Sequence, residues 1–386
     1  MSSRLPSMAL YFTWYAARGA TGFFVPLYLY SIGLPVVEVG LALGFSGAGV
    51  LIFEAVWGYV VDKVGVAKTL PGVEVVAVVT FFLFQFVSTP YEAYAASFLL
   101  GATSPVMVVI GRYLVVGESE SSGWGAGFGL LGGAISFGFG AGALVGGVTS
   151  SRFGYGYAFD VAALLTIVPY PLYTLVKKRS PGHLKPAVAQ PPASEGSQGL
   201  DWRTLSILSV ASVPLFMGVV FYTSIMQLVV TQTASIGASS VDASIMISLY
   251  SFSNVLFQPL LGAAFGRRAR SSIALGLALN LGVFLALTRT GTMLGFDALA
   301  VAAAFCFSMV SPLSLSLLMV RTPRRYAGRM MGMYGAAEDV GIVLGPVLGA
   351  FFWANFGLES AYLSMALPTL AALIFYLLMF NRAGKG

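Results

Sequence analysis

The sequence is short of charge, of cysteine and of histidine. Of 386 residues only 9% are charged, against about 25% in a soluble domain, and so few charges cannot cover a water-facing surface. A single cysteine, Cys306, excludes an internal disulfide, and a single histidine, His183, leaves no His/Cys cluster to hold a metal. Nucleophile, base and metal ligands do not cluster as a membrane enzyme would require. Gly127-Phe128-Gly129-Leu130-Leu131-Gly132 spells a dinucleotide-binding pattern, but no strand precedes it and it opens an apolar span, so it reads as packing glycines. Neither a cofactor nor a nucleic-acid partner is expected, and the net charge of +6 needs another explanation.

What the chain has is apolar length: 57% of its residues are hydrophobic and 46 are glycine, a residue favoured where membrane helices approach closely. Arg4 and the apolar stretch after it look like a signal peptide, but apolar character resumes past Arg18 to Tyr30, so the segment reads as a first membrane helix. Crossing the hydrocarbon core takes about 20 apolar residues. On that rule helices 1 to 6 fall near 8–30, 36–61, 70–88, 91–116, 125–149 and 156–176. Helices 7 to 12 fall near 205–233, 241–265, 271–288, 296–320, 328–354 and 358–380. The expected organisation is an N-terminal six-helix bundle (1–176), a linker rich in Pro, Gly and Ser (177–203) and a C-terminal six-helix bundle (204–386). Alternate loops differ in charge. The termini, the linker and the loops on their side hold 17 of the 21 basic residues, and the opposite loops hold only Arg152 and Arg289. The positive-inside rule then places both termini and the linker in the cytoplasm.

The two halves repeat. A shift of 204 residues aligns Ser31-Ile32-Gly33 with Ser235-Ile236-Gly237, and Glu38 with Asp242. A shift of 203 aligns Gly138, Gly142 and Gly146 with Gly341, Gly345 and Gly349, and Phe153-Gly154 with Phe356-Gly357. Six helices separate the copies, an even number, so both halves enter the membrane with the same orientation, a parallel repeat. Gly58, Asp62, Lys63, Gly65 and Lys68 follow helix 2 as glycine, three residues, aspartate, a basic residue, any residue, glycine and a further basic residue. With six plus six helices and a long central loop, this resembles the major facilitator superfamily. Val66 stands where that family often has an arginine, and the second copy, Gly262 to Arg270, has Gly266 in place of the aspartate.

The resemblance implies an all-α membrane protein of twelve helices whose two bundles are related by a parallel pseudo-two-fold axis. It also implies that Asp62 and its neighbours latch the halves together on the cytoplasmic side. A carboxylate at the end of helix 2 suits the unpaired amides at the start of helix 11, whereas an ordinary solvated loop charge is the plainer reading. Gly40 and Gly44 in helix 2, the four-spaced glycines of helices 5 and 11, and Ser244 and Ser248 in helix 8 are expected to form smooth seams. In the resembled fold those seams lie where helices 2 and 11, and 5 and 8, meet between the halves. Ala143 replaces the proline of the antiporter motif in helix 5, and a proline follows glycine instead at Gly345-Pro346.

An ionisable residue inside a span costs at least about 2.5–3.5 kcal/mol and needs a reason. Arg18 lies near mid-bilayer with Trp14 and Tyr15 near the same face, which makes it the leading substrate contact; an ion pair to a neighbouring helix is the alternative. Glu54 and Arg112 lie at similar depth and suit either a structural pair or proton and substrate handling. Ser97 occupies the approximate position where proton-coupled relatives carry an arginine. Glu338 and Asp339 are adjacent in helix 11, and two close carboxylates in low dielectric should not both be charged, as a proton carrier requires. Thr223, Gln227 and Thr231 form a polar stripe in helix 7, and Tyr250, Asn254 and Gln258 one in helix 8; such stripes line a wet cavity or bond to neighbours.

The expectation is a monomeric, non-enzymatic secondary active transporter of the plasma membrane, working by alternating access with proton coupling. Efflux antiport of an amphipathic compound fits the aromatic cavity and the acids. Uptake of a small organic anion fits Arg18 and Arg112. A receptor or scaffold without flux is the reading outside transport.

Overall fold

The structure, a computed structural model, describes residues 5–111, 124–179, 201–322 and 327–381. These fold into helices, with no strand among the described residues, because in lipid every backbone group must be satisfied within its own segment or in a closed barrel. The first half comprises α1 (Leu5–Ser31), α2 (Val36–Val64), α3 (Val66–Phe84), α4 (Pro90–Gly111, broken at Ser104-Pro105), α5 (Trp124–Phe153) and α6 (Tyr155–Ile167, continued by Pro169–Arg179). The second half comprises α7 (Trp202–Gln232, with a π turn at Phe221–Ile225), α8 (Ser240–Phe265), α9 (Ala269–Leu287), α10 (Met293–Val320), α11 (Ala327–Phe356) and α12 (Leu358–Asn381). Among the described residues, eleven of these are long and apolar enough to cross a membrane. α1, with 27 residues, is long enough as well, but Arg18 and its polar-tipped aromatics lower its apolar character.

Burial explains that difference. Between Leu10 and Leu29 every residue of α1 except Phe12, Thr13 and Gly22 is buried, so the helix faces protein all round and does not need an apolar surface. α3, α6, α9 and α12 do need one: Val75, Val79 and Phe82, then Leu164 and Ile167, then Leu275 and Leu279, then Leu367, Ile374 and Leu378 are all exposed. Apolar patches of this extent suit lipid, not water.

Helix ends are set by chemistry in the loops. Thr89 with Glu92 and Ser239 with Asp242 form capping boxes at the starts of α4 and α8, which satisfy first-turn amides. The tight turns after α1 and α7 use Gly33 (φ 93°) and Gly237 (φ 62°), and those after α5 and α11 use Gly154 (φ 92°) and Gly357 (φ 89°). A side chain is strained at such angles, which accounts for glycine at both members of each aligned pair.

Packing recurs in the same way. α5 lies on α1 and α11 lies on α7, while α2 meets α11 and α5 meets α8. A methyl group built on Gly138, Gly142 or Gly146 would strike the backbone at Phe12, Ala16 or Ala20, and one on Gly341 or Gly345 would strike that at Val213 or Met217. The four-spaced glycines therefore seat helices within each half, not between halves as expected from the sequence. The seams between halves use Gly40, Gly44 and Ser244, as expected, with Gly47, Gly140 and Gly147: Gly40, Gly44 and Gly47 lie against Ala350, Pro346, Val347 and Val343, and Gly140 and Gly147 against Ser251, Phe252 and Ser244.

Candidate functional site

The two ends of the inter-half seam differ. Let the side where α6 ends and α7 begins be the linker side, and the other the far side. On the far side α2 and α11 touch closely from Gly40 to Gly47. Toward the linker side a side chain added at Gly58 or Gly332 would meet nothing within 4 Å, and Ile52, Tyr59 and Met333 are exposed. α2 and α11 thus close at one end and part at the other. The α5–α8 contact reaches further, to Gly132 against the Gln258 side chain.

Polar bonds reinforce the closed end. Pro26 has no amide hydrogen, so the Gly22 carbonyl four residues back in α1 lacks its helical donor. The Gln227 side chain, fully buried on α7, donates to that carbonyl and to the Phe23 carbonyl, each at 3.0 Å. Ser248 on α8 donates to the Gly140 carbonyl of α5 at 2.8 Å. Each bond crosses from one half to the other.

One turn of α1 below Gly22, on the linker side, sits Arg18, 6% exposed. Its guanidinium donates to the Leu100 carbonyl at 3.1 Å and to Thr103 Oγ1 at 2.7 Å. Leu100 can accept because the break at Ser104-Pro105 diverts the Ser104 amide to Gly101. The guanidinium lies 4.7 Å from the Trp14 ring centre, a cation–π distance. Tyr15 is buried beside this pair, its Cβ near Gly138 of α5.

Elsewhere the candidates separate. Thr223 bonds back to the Val219 carbonyl. Asn254 donates to the Tyr250 carbonyl at 3.1 Å and accepts from Ser308 at 2.8 Å, tying α8 to α10 inside the second half. Glu54 is two turns to the linker side of Gly47, and Glu338 and Asp339 are about one turn from Val343, which Gly47 touches. All three flank the region where α2 and α11 part; Asp339 is buried, Glu54 and Glu338 half-buried. Gly65 (φ 80°) turns α2 into α3. Lys63 and Lys68 are exposed, Lys63 lying over the Tyr59 ring. The Asp62 side chain and Arg112 lie outside the described residues. Among the described residues no His/Cys/Asp/Glu group could hold a metal ion. In the second half Gly218, Tyr222, Tyr250, Asn280 and Phe284 line a cavity with room for about one water.

The Major Facilitator Superfamily model matches residues 8–234 and 208–385. The chain belongs to this superfamily. An uncharacterised MFS-type transporter of Methanocaldococcus jannaschii is 20% identical over 364 residues, covering 92% of each chain. The superfamily fold is also evident in solved structures. The nucleoside transporter NupG superimposes with a TM-score of 0.79 at 14% identity over 98% of this chain and 100% of that one. The POT family transporter PepTSo does so with 0.78 at 13%, over 100% and 98%. At such identities the likeness establishes the fold alone. As a superfamily member the chain is a multi-pass membrane transporter, not an enzyme.

Two features of this superfamily chain escaped the sequence reading. Glu74, buried on α3, accepts the Tyr170 amide at 2.7 Å, at the start of the α6 segment that follows the break at Val168. Glu38 accepts from the Tyr94 hydroxyl, joining α2 to α4. A carboxylate inside a span is itself the signal, and the Pro169-Tyr170-Pro171 run marks a helix restart with amides in need of acceptors.

Proposed function

We propose that this chain is a secondary transporter that exports an amphipathic solute in exchange for protons by alternating access. The observation that carries the reading is the asymmetric seam: glycine-close between α2 and α11 on the far side, parted on the linker side. In this reading the bundles 1–176 and 204–386, related by a parallel repeat, rock about the seam. The recurring turns and the paired α1–α5 and α7–α11 contacts support that repeat. The basic loops put the linker 177–203 and both termini in the cytoplasm, so the state described here opens inward. The protein would act as a monomer in the plasma membrane.

Glu54, Glu338 and Asp339 flank the opening, where a proton from the cytoplasmic water could be taken up or released. Gly58, Asp62, Lys63, Gly65 and Lys68 would close that mouth when the far side opens. Trp14, Tyr15, Arg18 and Arg112 from the first half, with Thr223, Gln227 and Asn254 from the second, are the residues proposed to meet the solute. Gln227 and Asn254 in this state hold helices together, so any contact they make would come in another state. A second reading, uptake of a small organic anion, is favoured by the buried charge of Arg18.

Proteoliposomes under an imposed pH gradient test the proposal. A panel of fluorescent amphipathic solutes is expected to move against its gradient, with counterflow of protons that collapses when the pH gradient is dissipated. Flux indifferent to pH would remove proton coupling, and binding without flux would leave a receptor.

A further inference from the structure

We propose that the transported solute carries a carboxylate or similar small anionic group, and that Arg18 and Trp14 form the pocket that receives it. The inference rests on the transport reading and adds the chemistry of the cargo. Arg18 is buried near mid-membrane, and no ion pair to it exists among the described residues. Its two hydrogen-bond acceptors, Leu100 O and Thr103 Oγ1, are neutral. They take one N–H from each terminal nitrogen, and Arg18 Nε is buried with no partner. Four residues away on the same face of α1, Trp14 is fully buried and its Nε1 is without a partner too. One turn along α4 from Leu100, Ser97 is 1% exposed and its Oγ is also unpartnered.

A buried guanidinium held only by neutral groups is costly in a membrane. Unmade bonds at these buried N–H donors add to that cost. Arg18 Nε–H and Trp14 Nε1–H can only donate, so the group that completes them must accept, and the net positive charge selects an anion. The face of the Trp14 ring already stabilises the cation, which leaves the charge in place when no anion is bound. Arg18 sits one turn of α1 beneath the Gly22–Gln227 contact, on the linker side, where a solute entering from that side would meet it.

The test uses the purified full chain and straight-chain monocarboxylates from acetate to dodecanoate, with benzoate, each paired with its amide. Binding is read by thermal shift and by titration. Carboxylates are expected to stabilise the protein and the matched amides not. Arg18→Lys keeps the charge but loses the fork and should weaken binding severalfold. Trp14→Phe keeps the ring but loses one donor and should weaken binding by about tenfold, with the carboxylate-over-amide preference reduced. Arg18→Gln should abolish it; if that variant does not fold, Arg18→Lys and Trp14→Phe decide. The inference is overturned if no carboxylate binds better than its amide, or if Trp14→Phe and Arg18→Lys bind as the unaltered chain does. Failure of transport is separable: neutral solutes crossing with no carboxylate preference overturn this inference alone, and carboxylates binding with no flux overturn the transport reading.

Discussion

Replacing Gln227 with leucine should release the closed far side. In the shut state the Gln227 amide nitrogen supplies two bonds at 3.0 Å to α1 carbonyls. Such bonds are worth ~0.6 kcal/mol each by membrane double-mutant cycles and ~1 kcal/mol in soluble proteins. Together they favour the shut state by about 1–2 kcal/mol, which moves a two-state ratio roughly 5- to 30-fold. Leucine also strands the Gly22 carbonyl, which has no amide donor because of Pro26, whereas the open state would let water reach it. Spin labels at Ser31 and Ser235, exposed in the α1–α2 and α7–α8 turns, report the far-side distance. The single native cysteine, buried Cys306, is first replaced by alanine. Gln227→Leu is expected to raise the long-distance population by that factor at an unchanged melting temperature. Pro26→Ala restores the helical donor to Gly22 and should halve the effect of Gln227→Leu. A distance distribution altered less than twofold, or strict additivity of the two substitutions, would refute the reasoning.

Three further outcomes follow from the contacts. Gly142→Val places a branched side chain against the Ala16 backbone and should abolish monodisperse protein in fluorescence-detected gel filtration, while Gly133→Ala, with nothing within 4 Å, should leave the melting temperature within a few degrees. Glu74→Ala strands the half-buried Tyr170 amide and should cost about 1 kcal/mol, read as a lower melting temperature, with the α6 amides near Tyr170 exchanging hydrogen faster. Glu338→Gln with Asp339→Asn removes the titratable groups beside the opening and should flatten the dependence of proteoliposome flux on pH; an unchanged profile would move proton coupling to Glu54 or elsewhere.

The spans were legible because hydrophobic length is a property of the chain alone. The expected limits fall within a few residues of those of α2, α8 and α12. The repeat was legible at its turns, where the aligned glycines 33 and 237, and 154 and 357, adopt backbone angles that other residues rarely take. The partner of the glycine stripes in helices 5 and 11 was not. A four-residue spacing says that one face of a helix is flat, but α5 has two such faces. Gly138, Gly142 and Gly146 meet α1, while Gly140 and Gly147 meet α8, and period alone does not say which neighbour lies where. The environment of Arg18 depended on the break at Ser104-Pro105, whose freed carbonyl is a consequence of three-dimensional placement. The stripe of Thr223, Gln227 and Thr231 left cavity lining and bonding to neighbours both open, and its four-residue spacing assumed an unbroken α-helix.

That assumption fails at the π turn. One extra residue in a turn rotates everything after it by about 100° relative to a regular helix, and such insertions cluster at sites under selection for something other than stability. Here the added residue aims Gln227 at the proline-vacated carbonyl of α1. Deleting one residue from Phe221–Ile225 would tighten the backbone and swing the terminal segment of α7 away from that target, so the register of a single turn sets whether the two halves can grip each other on the far side.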